Sequence, residues 1–287
     1  MIILRSLLFD LSFYAWTILI SVLSLPVLLV SHRATVWISW LWASVSLMLL
    51  RLTVGLSYEV RGSNNLPATP AIIACKHQSA WDALALWAVL KNPAIVTKRS
   101  LAMIPVFGWH VRRGKAIVVD RSAGARALRP MVAAAREAVA SGRSIAIFPE
   151  GTRTPVGVHQ AYHPGVAALY LQLGVPLLPV ALNSGLFWCR RSFIKRPGRI
   201  VVEFLPAIKP GLDRRRVMAE LEMRIETATS RLVGESLAAD NPGLTEIFSS
   251  GSDGDGRRKV RQTAPYAILG DAATTRLSPR RDNSKGI

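Results

Sequence analysis

A histidine and an aspartate stand five residues apart in the run Lys76-His77-Gln78-Ser79-Ala80-Trp81-Asp82. A carboxylate that accepts one ring N–H of a histidine fixes the tautomer and leaves the other nitrogen free to take a proton from a hydroxyl. The pattern offers His77 as a general base and Asp82 as its orienting partner. Five residues at helical pitch would set the two side chains about 140° apart, so contact requires a non-helical step at 77–79. The same residues also support a plainer reading. Ser79 and Asp82 have capping-box spacing, so Asp82 could simply stabilise a helix N-terminus, with His77 an ordinary half-buried polar residue.

A second constellation is Phe148-Pro149-Glu150-Gly151-Thr152-Arg153. Glycine permits a tight turn. Backbone N–H groups, the Thr152 hydroxyl and the Arg153 fork together suit a phosphate or carboxylate. The alternative is a surface turn with a Glu150–Arg153 ion pair worth little. Two further polar stretches, Thr97-Lys98-Arg99-Ser100 and Val119-Asp120-Arg121-Ser122, also follow short apolar runs. Four polar sites each placed just past a strand suggest one shared active-site edge.

The elements that must carry them can be read from periodicity. Residues 71–75, 94–97, 116–119, 144–148, 176–182 and 200–204 are short, nearly continuous apolar runs, as expected of strands buried on both faces. Residues 83–90, 125–140, 163–173 and 213–233 read as helices; the second and third end at Gly142 and Gly174. This alternation predicts an α/β domain with a mixed sheet flanked by helices.

Ahead of it, residues 7–30 hold one charge, Asp10, and one proline, Pro26. A helix of that length reaches about 36 Å, enough for a bilayer core of about 30 Å. Residues 35–50 are also apolar, with three tryptophans, but reach only about 24 Å. A helical hairpin follows, either crossing the membrane twice or lying in one leaflet; a pair of core helices in a soluble bundle is the alternative. Arg5 and Arg51 fall on the same side, which the positive-inside tendency places in the cytoplasm. The expected organisation is a membrane-associated hairpin over 1–52, an α/β domain over 53–234, and a low-complexity, disordered basic tail over 235–287.

The 287-residue chain is 50% hydrophobic and carries a formal charge of +18. That combination points to an anionic membrane surface or anionic substrates. Nucleic acid is not expected, since zinc-finger spacing, a basic helix with heptads and aromatic RNA-binding signatures are all missing. Two cysteines, Cys75 and Cys189, make no disulfide framework and fit a reducing compartment. Cys75 lies two residues from His77, so a cysteine acyl-enzyme is conceivable; a small core residue ending a strand is the favoured alternative. His159 and His163 lack a third ligand and a neighbouring Glu, so no metal site is expected.

From about Tyr58 to Phe204 the chain resembles the 1-acyl-sn-glycerol-3-phosphate acyltransferase group, the PlsC-like glycerolipid acyltransferases. His77 to Asp82 matches the family's His-x4-Asp motif. Gly114 to Arg121 matches its second block and Val175-Pro-Leu-Leu-Pro-Val180 its fourth. Phe148 to Arg153 matches the third block throughout, and is the most specific. Ile104 to Trp109 is similar to the segment that follows the Lys98 position. Lys76 stands where the family usually has asparagine, Ser100 where an acidic residue is common, and Val118-Val119 in place of Phe-Ile.

The resemblance implies an acyl thioester donor, on coenzyme A or acyl carrier protein, and a lysophospholipid acceptor, most simply lysophosphatidic acid. It implies His77 as base and Asp82 as its partner. Glu150, Gly151, Thr152 and Arg153 would hold the head group, and Lys98 and Arg121 would add charge for its phosphate. Neither metal nor bound cofactor is expected. Another lyso-lipid, such as lyso-ornithine lipid, and a non-catalytic lipid-binding role are the alternatives. Neutral or mildly alkaline solution is expected to favour activity, because the base must be unprotonated.

Overall fold

A computed structural model describes residues 1–240. The chain opens with three helices, α1 (Ile2–Leu23), α2 (Leu25–Val30) and α3 (His32–Val54). The α/β elements follow in the order β1 (Leu56–Arg61), β2 (Ile72–Cys75), α4 (Trp81–Val89), β3 (Ala94–Lys98), α5 (Phe107–Arg113), β4 (Ile117–Val119), α6 (Leu128–Ala140), β5 (Ile145–Ile147), α7 (Gly165–Leu173), β6 (Leu177–Leu182), β7 (Gly198–Phe204) and α8 (Arg214–Asp240).

All seven strands form one sheet in the order β1-β7-β6-β2-β5-β3-β4. From β6 to β4 every pairing is parallel; β7 runs antiparallel to β6, and β1 parallel to β7, so the sheet is mixed. Parallel strands end at one edge. Residues that follow β2, β3, β4, β5 and β6 are therefore brought to the same side of the molecule.

Alternate strand residues face opposite layers. Ile73 and Cys75 of β2 join a core formed with Leu47, Leu50 and Val54 of α3 and Trp81 and Leu84 of α4. Ile72 and Ala74 join the other core, with Met131 of α6, Leu169 of α7 and Val217, Leu221 and Ile225 of α8. The second hairpin helix is thus also a structural layer of the α/β domain.

Several expectations need correction. The apolar run 7–30 is not one helix: it breaks at Ser24, because Pro26 has no N–H to continue the ladder. Helix α3 is longer than the apolar run 35–50, since its polar ends, from His32 and through Arg51, are helical too. Ser31 caps it, accepting from Ala34 N, and Gly55 ends it in the left-handed region at φ 80°. Strand β1 was not expected. Its Ser57, Glu59 and Arg61 suit an edge strand exposed to water and hide the apolar pattern. Helix α6 starts at Leu128, after a turn kinked at Gly124. Helix α8 continues to Asp240, beyond the expected helix end at residue 233; residues 241–287 of the expected tail lie outside the described residues.

Both hairpin helices α1 and α3 are long and apolar enough to cross a membrane, with mean hydropathies of 1.7 and 1.4. On α1, Leu4, Leu7, Leu8, Leu11, Ile18 and Val22 form an exposed stripe at helical spacing. The hairpin also touches the domain at both ends. Near the start of α1, Phe9 is fully buried against Trp188, Asp10 pairs with the buried Lys195, and Ser6 Oγ accepts from Lys195 N at 3.0 Å. At the turn, Ser24 Oγ lies 3.0 Å from His110 Nε2, and His32 Nδ1 lies 3.0 Å from the Arg113 carbonyl.

Candidate active site

Residues 76–80, between β2 and α4, are not helical, which meets the requirement for contact between His77 and Asp82. His77 Nδ1 lies 2.9 Å from Asp82 Oδ2. The same oxygen accepts from Gln78 N at 2.7 Å and Ser79 N at 2.8 Å. Ser79 Oγ accepts in turn from Trp81 N at 3.2 Å. One carboxylate therefore orients the histidine and ties down the 78–79 backbone ahead of α4, whose N-cap, Ala80, has no side-chain cap bond. Asp82 is fully buried and cannot contact a ligand directly.

Its other oxygen, Oδ1, accepts from the Ser184 hydroxyl at 2.5 Å. Ser184 follows β6, which pairs with β2 through Cys75↔Val180, so the sheet delivers it to the carboxylate. Gln78 is held alongside, its Oε1 accepting from Gly185 N at 3.1 Å. Sequence reasoning missed Ser184, since a lone serine more than a hundred positions from Asp82 carries no local signal.

Glu150, expected to hold a head group, is fully buried. Its Oε2 accepts from His77 N at 2.7 Å, and Lys76 Nζ lies 2.7 Å from Oε1 in an ion pair away from the hydrogen-bond direction. From the same turn, Thr154 N donates to the His77 carbonyl at 2.7 Å. The 148–154 turn thus grips the His77 peptide unit on both sides. Burial pushes the Glu150 carboxyl above the usual carboxylate range; the Lys76 cation, the His77 N–H and the Thr154 hydroxyl pull it back down.

Lys76 itself is nearly fully buried and makes a forked contact with Glu226 of α8, at 2.7 and 2.9 Å. Tyr162 O–H donates to the same carboxylate at 2.7 Å. The lysine that departs from the usual asparagine is therefore a buried cation shared by Glu150 and Glu226. Charges so placed are tolerated only when paired.

The remaining expected ligand residues surround this centre. Gly151 adopts φ 68°, and a Cβ there would lie 2.5 Å from the His163 ring, so only glycine fits. Its carbonyl accepts from the Arg121 guanidinium, which brings the turns after β4 and β5 together. Thr152 and Arg153 are half-exposed, and neither has a side-chain partner among the described residues. Lys98 is exposed at the end of β3, in register with Val119. The edge thus presents donors and cations that no acidic group among the described residues neutralises, as an anionic ligand requires.

Beside the dyad lies a cavity of about 370 Å³ with mostly apolar walls, including Val96, Leu128, Met131 and Phe148. Arg121 and His163 give it a polar rim. Phe148 also stacks on the His77 ring, with centroids 3.9 Å apart and planes at 17°. An amphiphile with an anionic group fits this combination. Cys75 is fully buried, and burial pushes its thiol well above its ordinary range, so its thiolate is scarce. His159 turns away to pair with Glu222, while His163 lies over Gly151.

Residues 57–183 match the family described as Acyltransferase. A 1-acyl-sn-glycerol-3-phosphate acyltransferase of Pseudomonas aeruginosa is 37% identical over 194 residues, 68% of this chain and 76% of its relative. The human 1-acyl-sn-glycerol-3-phosphate acyltransferase alpha is 28% identical over 204 residues, 70% of this chain and 71% of that one. Among solved structures, the 1-acyl-sn-glycerophosphate acyltransferase PlsC from Thermotoga maritima superposes with a TM-score of 0.68 at 21% identity, covering 81% of this chain and 98% of that one. That structure shares the fold.

Proposed function

Because the chain belongs to the acyltransferase family, we propose that it acylates lysophosphatidic acid. It transfers an acyl group from a thioester to the free hydroxyl of 1-acyl-sn-glycerol-3-phosphate, giving phosphatidic acid. The donor is carried on coenzyme A or acyl carrier protein.

The observation that carries the mechanism is the buried Asp82 carboxylate on His77 Nδ1. It fixes the proton of the neutral ring on Nδ1, which leaves the Nε2 lone pair for the acceptor hydroxyl. Nε2 takes the hydroxyl proton as the oxygen attacks the thioester carbonyl, and Asp82 stabilises the imidazolium. The tetrahedral intermediate collapses, the C–S bond breaks, and the imidazolium returns the proton to the departing thiolate. Backbone N–H groups serve the oxyanion. Lys98, Arg121, Thr152 and Arg153 bind the acceptor phosphate, Gly151 shapes the turn, and Glu150 positions His77 from behind.

The substrate is a membrane lipid, which accounts for the hairpin. Its attachment to the domain at both ends supports a hairpin lying in one leaflet, since a helix so held cannot leave the surface to cross about 30 Å of hydrocarbon. The leaflet is the cytoplasmic one of a bacterial inner membrane, consistent with Arg5, Arg51 and the basic chain lying on one side.

The test is acyl transfer in membranes carrying the wild-type protein or His77→Ala, with labelled thioester of both carriers. Lysophosphatidic acid and lyso-ornithine lipid are offered in parallel. Product from the phosphorylated acceptor, lost in the variant, is expected. Product from lyso-ornithine lipid alone would keep the chemistry and replace the acceptor. No product from a folded protein would leave a lipid-binding role.

A further inference from the structure

Between β3 and β4 the chain forms a tight knuckle. A turn at Leu101–Met103 is followed by α5, and Gly108 is pressed onto the turn. A Cβ on Gly108 would lie 2.3 Å from the Ala102 carbonyl, so the two backbones are in direct contact. Gly108 N also donates to the Ile104 carbonyl at 2.7 Å. Val106 sits at φ 61°, ψ −59°, which is costly for a β-branched residue and persists only where surrounding structure imposes it.

This well-fastened segment nevertheless turns large apolar side chains to solvent. Leu101 is 42% exposed, Met103 66%, Ile104 45% and Trp109 51%. Such a cluster on a compact element marks an interaction surface. What covers it is indicated by its neighbours. Phe107 rests on Trp42 of α3, His110 on Ser24, and the Arg113 carbonyl on His32, so the knuckle continues the hairpin's own surface. Exposed Lys98 and Arg99 precede it, and exposed Arg112 and Arg113 follow it. Apolar residues with a tryptophan, rimmed by cations and adjoining an apolar hairpin, match the boundary between acyl chains and anionic head groups.

We propose that residues 101–109 are a second membrane contact, inserted into the same leaflet as the hairpin, along which the acceptor lipid reaches the active site. The route rests on the function proposed above. Lys98 ends β3 just before the knuckle, so a lyso-lipid rising beside it keeps its chain on apolar side chains until its phosphate meets the lysine.

Two measurements test this. In a Cys189→Ser background, Met103→Cys is labelled with an environment-sensitive dye and mixed with vesicles of phosphatidylethanolamine and phosphatidylglycerol. Blue-shifted emission, quenched by brominated lipid, is expected. The second uses Leu101→Ser, Met103→Ser and Trp109→Ser combined, whose exposed positions should leave the melting temperature in place. Acylation of a long-chain acceptor in vesicles should fall about tenfold or more, while a dispersed short-chain acceptor reacts within about twofold of wild type. Water-like emission from vesicle-bound protein, or wild-type rates on both acceptors, would overturn the proposal. So would equal losses on both, which would mean a damaged active site rather than lost lipid access. The dye reports without turnover, so an inactive wild-type protein would count against the reaction while the shift still decides the contact.

Discussion

Asp82→Asn removes the carboxylate charge while leaving an oxygen where the imidazole needs one. Oδ2 receives three N–H donors, from His77, Gln78 and Ser79, whereas Oδ1 meets the Ser184 hydroxyl. An asparagine would turn its oxygen to the three donors and its NH2 to Ser184, whose hydroxyl can rotate to accept. One amide proton is left buried without a partner, at about 1–2 kcal/mol, or a few degrees in melting temperature. The tautomer of His77 is kept. What is lost is the interaction between the imidazolium formed during attack and its counter-charge. For charges about 4 Å apart at an effective dielectric constant of about 20, that is about 4 kcal/mol, or about a thousandfold in kcat. KM should hardly move, because buried Asp82 touches no substrate. Steady-state acylation of vesicle-borne lysophosphatidic acid beside a thermal melt checks both numbers. A kcat within about tenfold of wild type at an intact melting temperature would refute the charge-stabilisation argument. A kcat loss that merely followed a collapse in melting temperature would reduce Asp82 to a prop of the 77–79 turn.

Two further substitutions probe the support of the site. Lys76→Met strips the cation from buried Glu150 and should destabilise by about 3–5 kcal/mol at neutral pH. Glu150 already titrates high because of burial, and higher still without Lys76. A raised acid is stabilised in the folded state when protonated, so the penalty should shrink on acidification and grow as pH rises through its folded pKa. Melting curves at several pH values decide it, and a pH-independent loss would contradict the pairing. Cys75→Ala should keep acyl transfer within about twofold, because the thiol is buried and its thiolate suppressed; loss of activity in a folded variant would reopen an acyl-cysteine route.

Much of the site was legible because its residues follow short apolar runs. Strands of a parallel sheet are buried on both faces, so their sequences are continuous and apolar, and polar residues appear where the backbone leaves the sheet. His77, Lys98, Arg121 and Glu150 were placed at strand ends for that reason. Strand β1 escaped because the polar Ser57, Glu59 and Arg61 interrupt its apolar run. The break at Ser24 was signalled by Pro26, though hydropathy alone ran straight through it.

What the sequence by itself determined is the periodicity of each element and the residue types at its ends, because both are local. Only the tertiary structure decided which ends meet. Ser184 reaches Asp82 because β6 lies beside β2. Glu226 reaches Lys76 because α8 packs on the layer behind the strand that carries it. Lys195 reaches Asp10 across 185 positions, fastening the hairpin to the loop after β6. Glu150 is buried behind His77 for the same reason. Whether a carboxylate faces solvent or a lysine depends on strand order and layer packing, which no local pattern records.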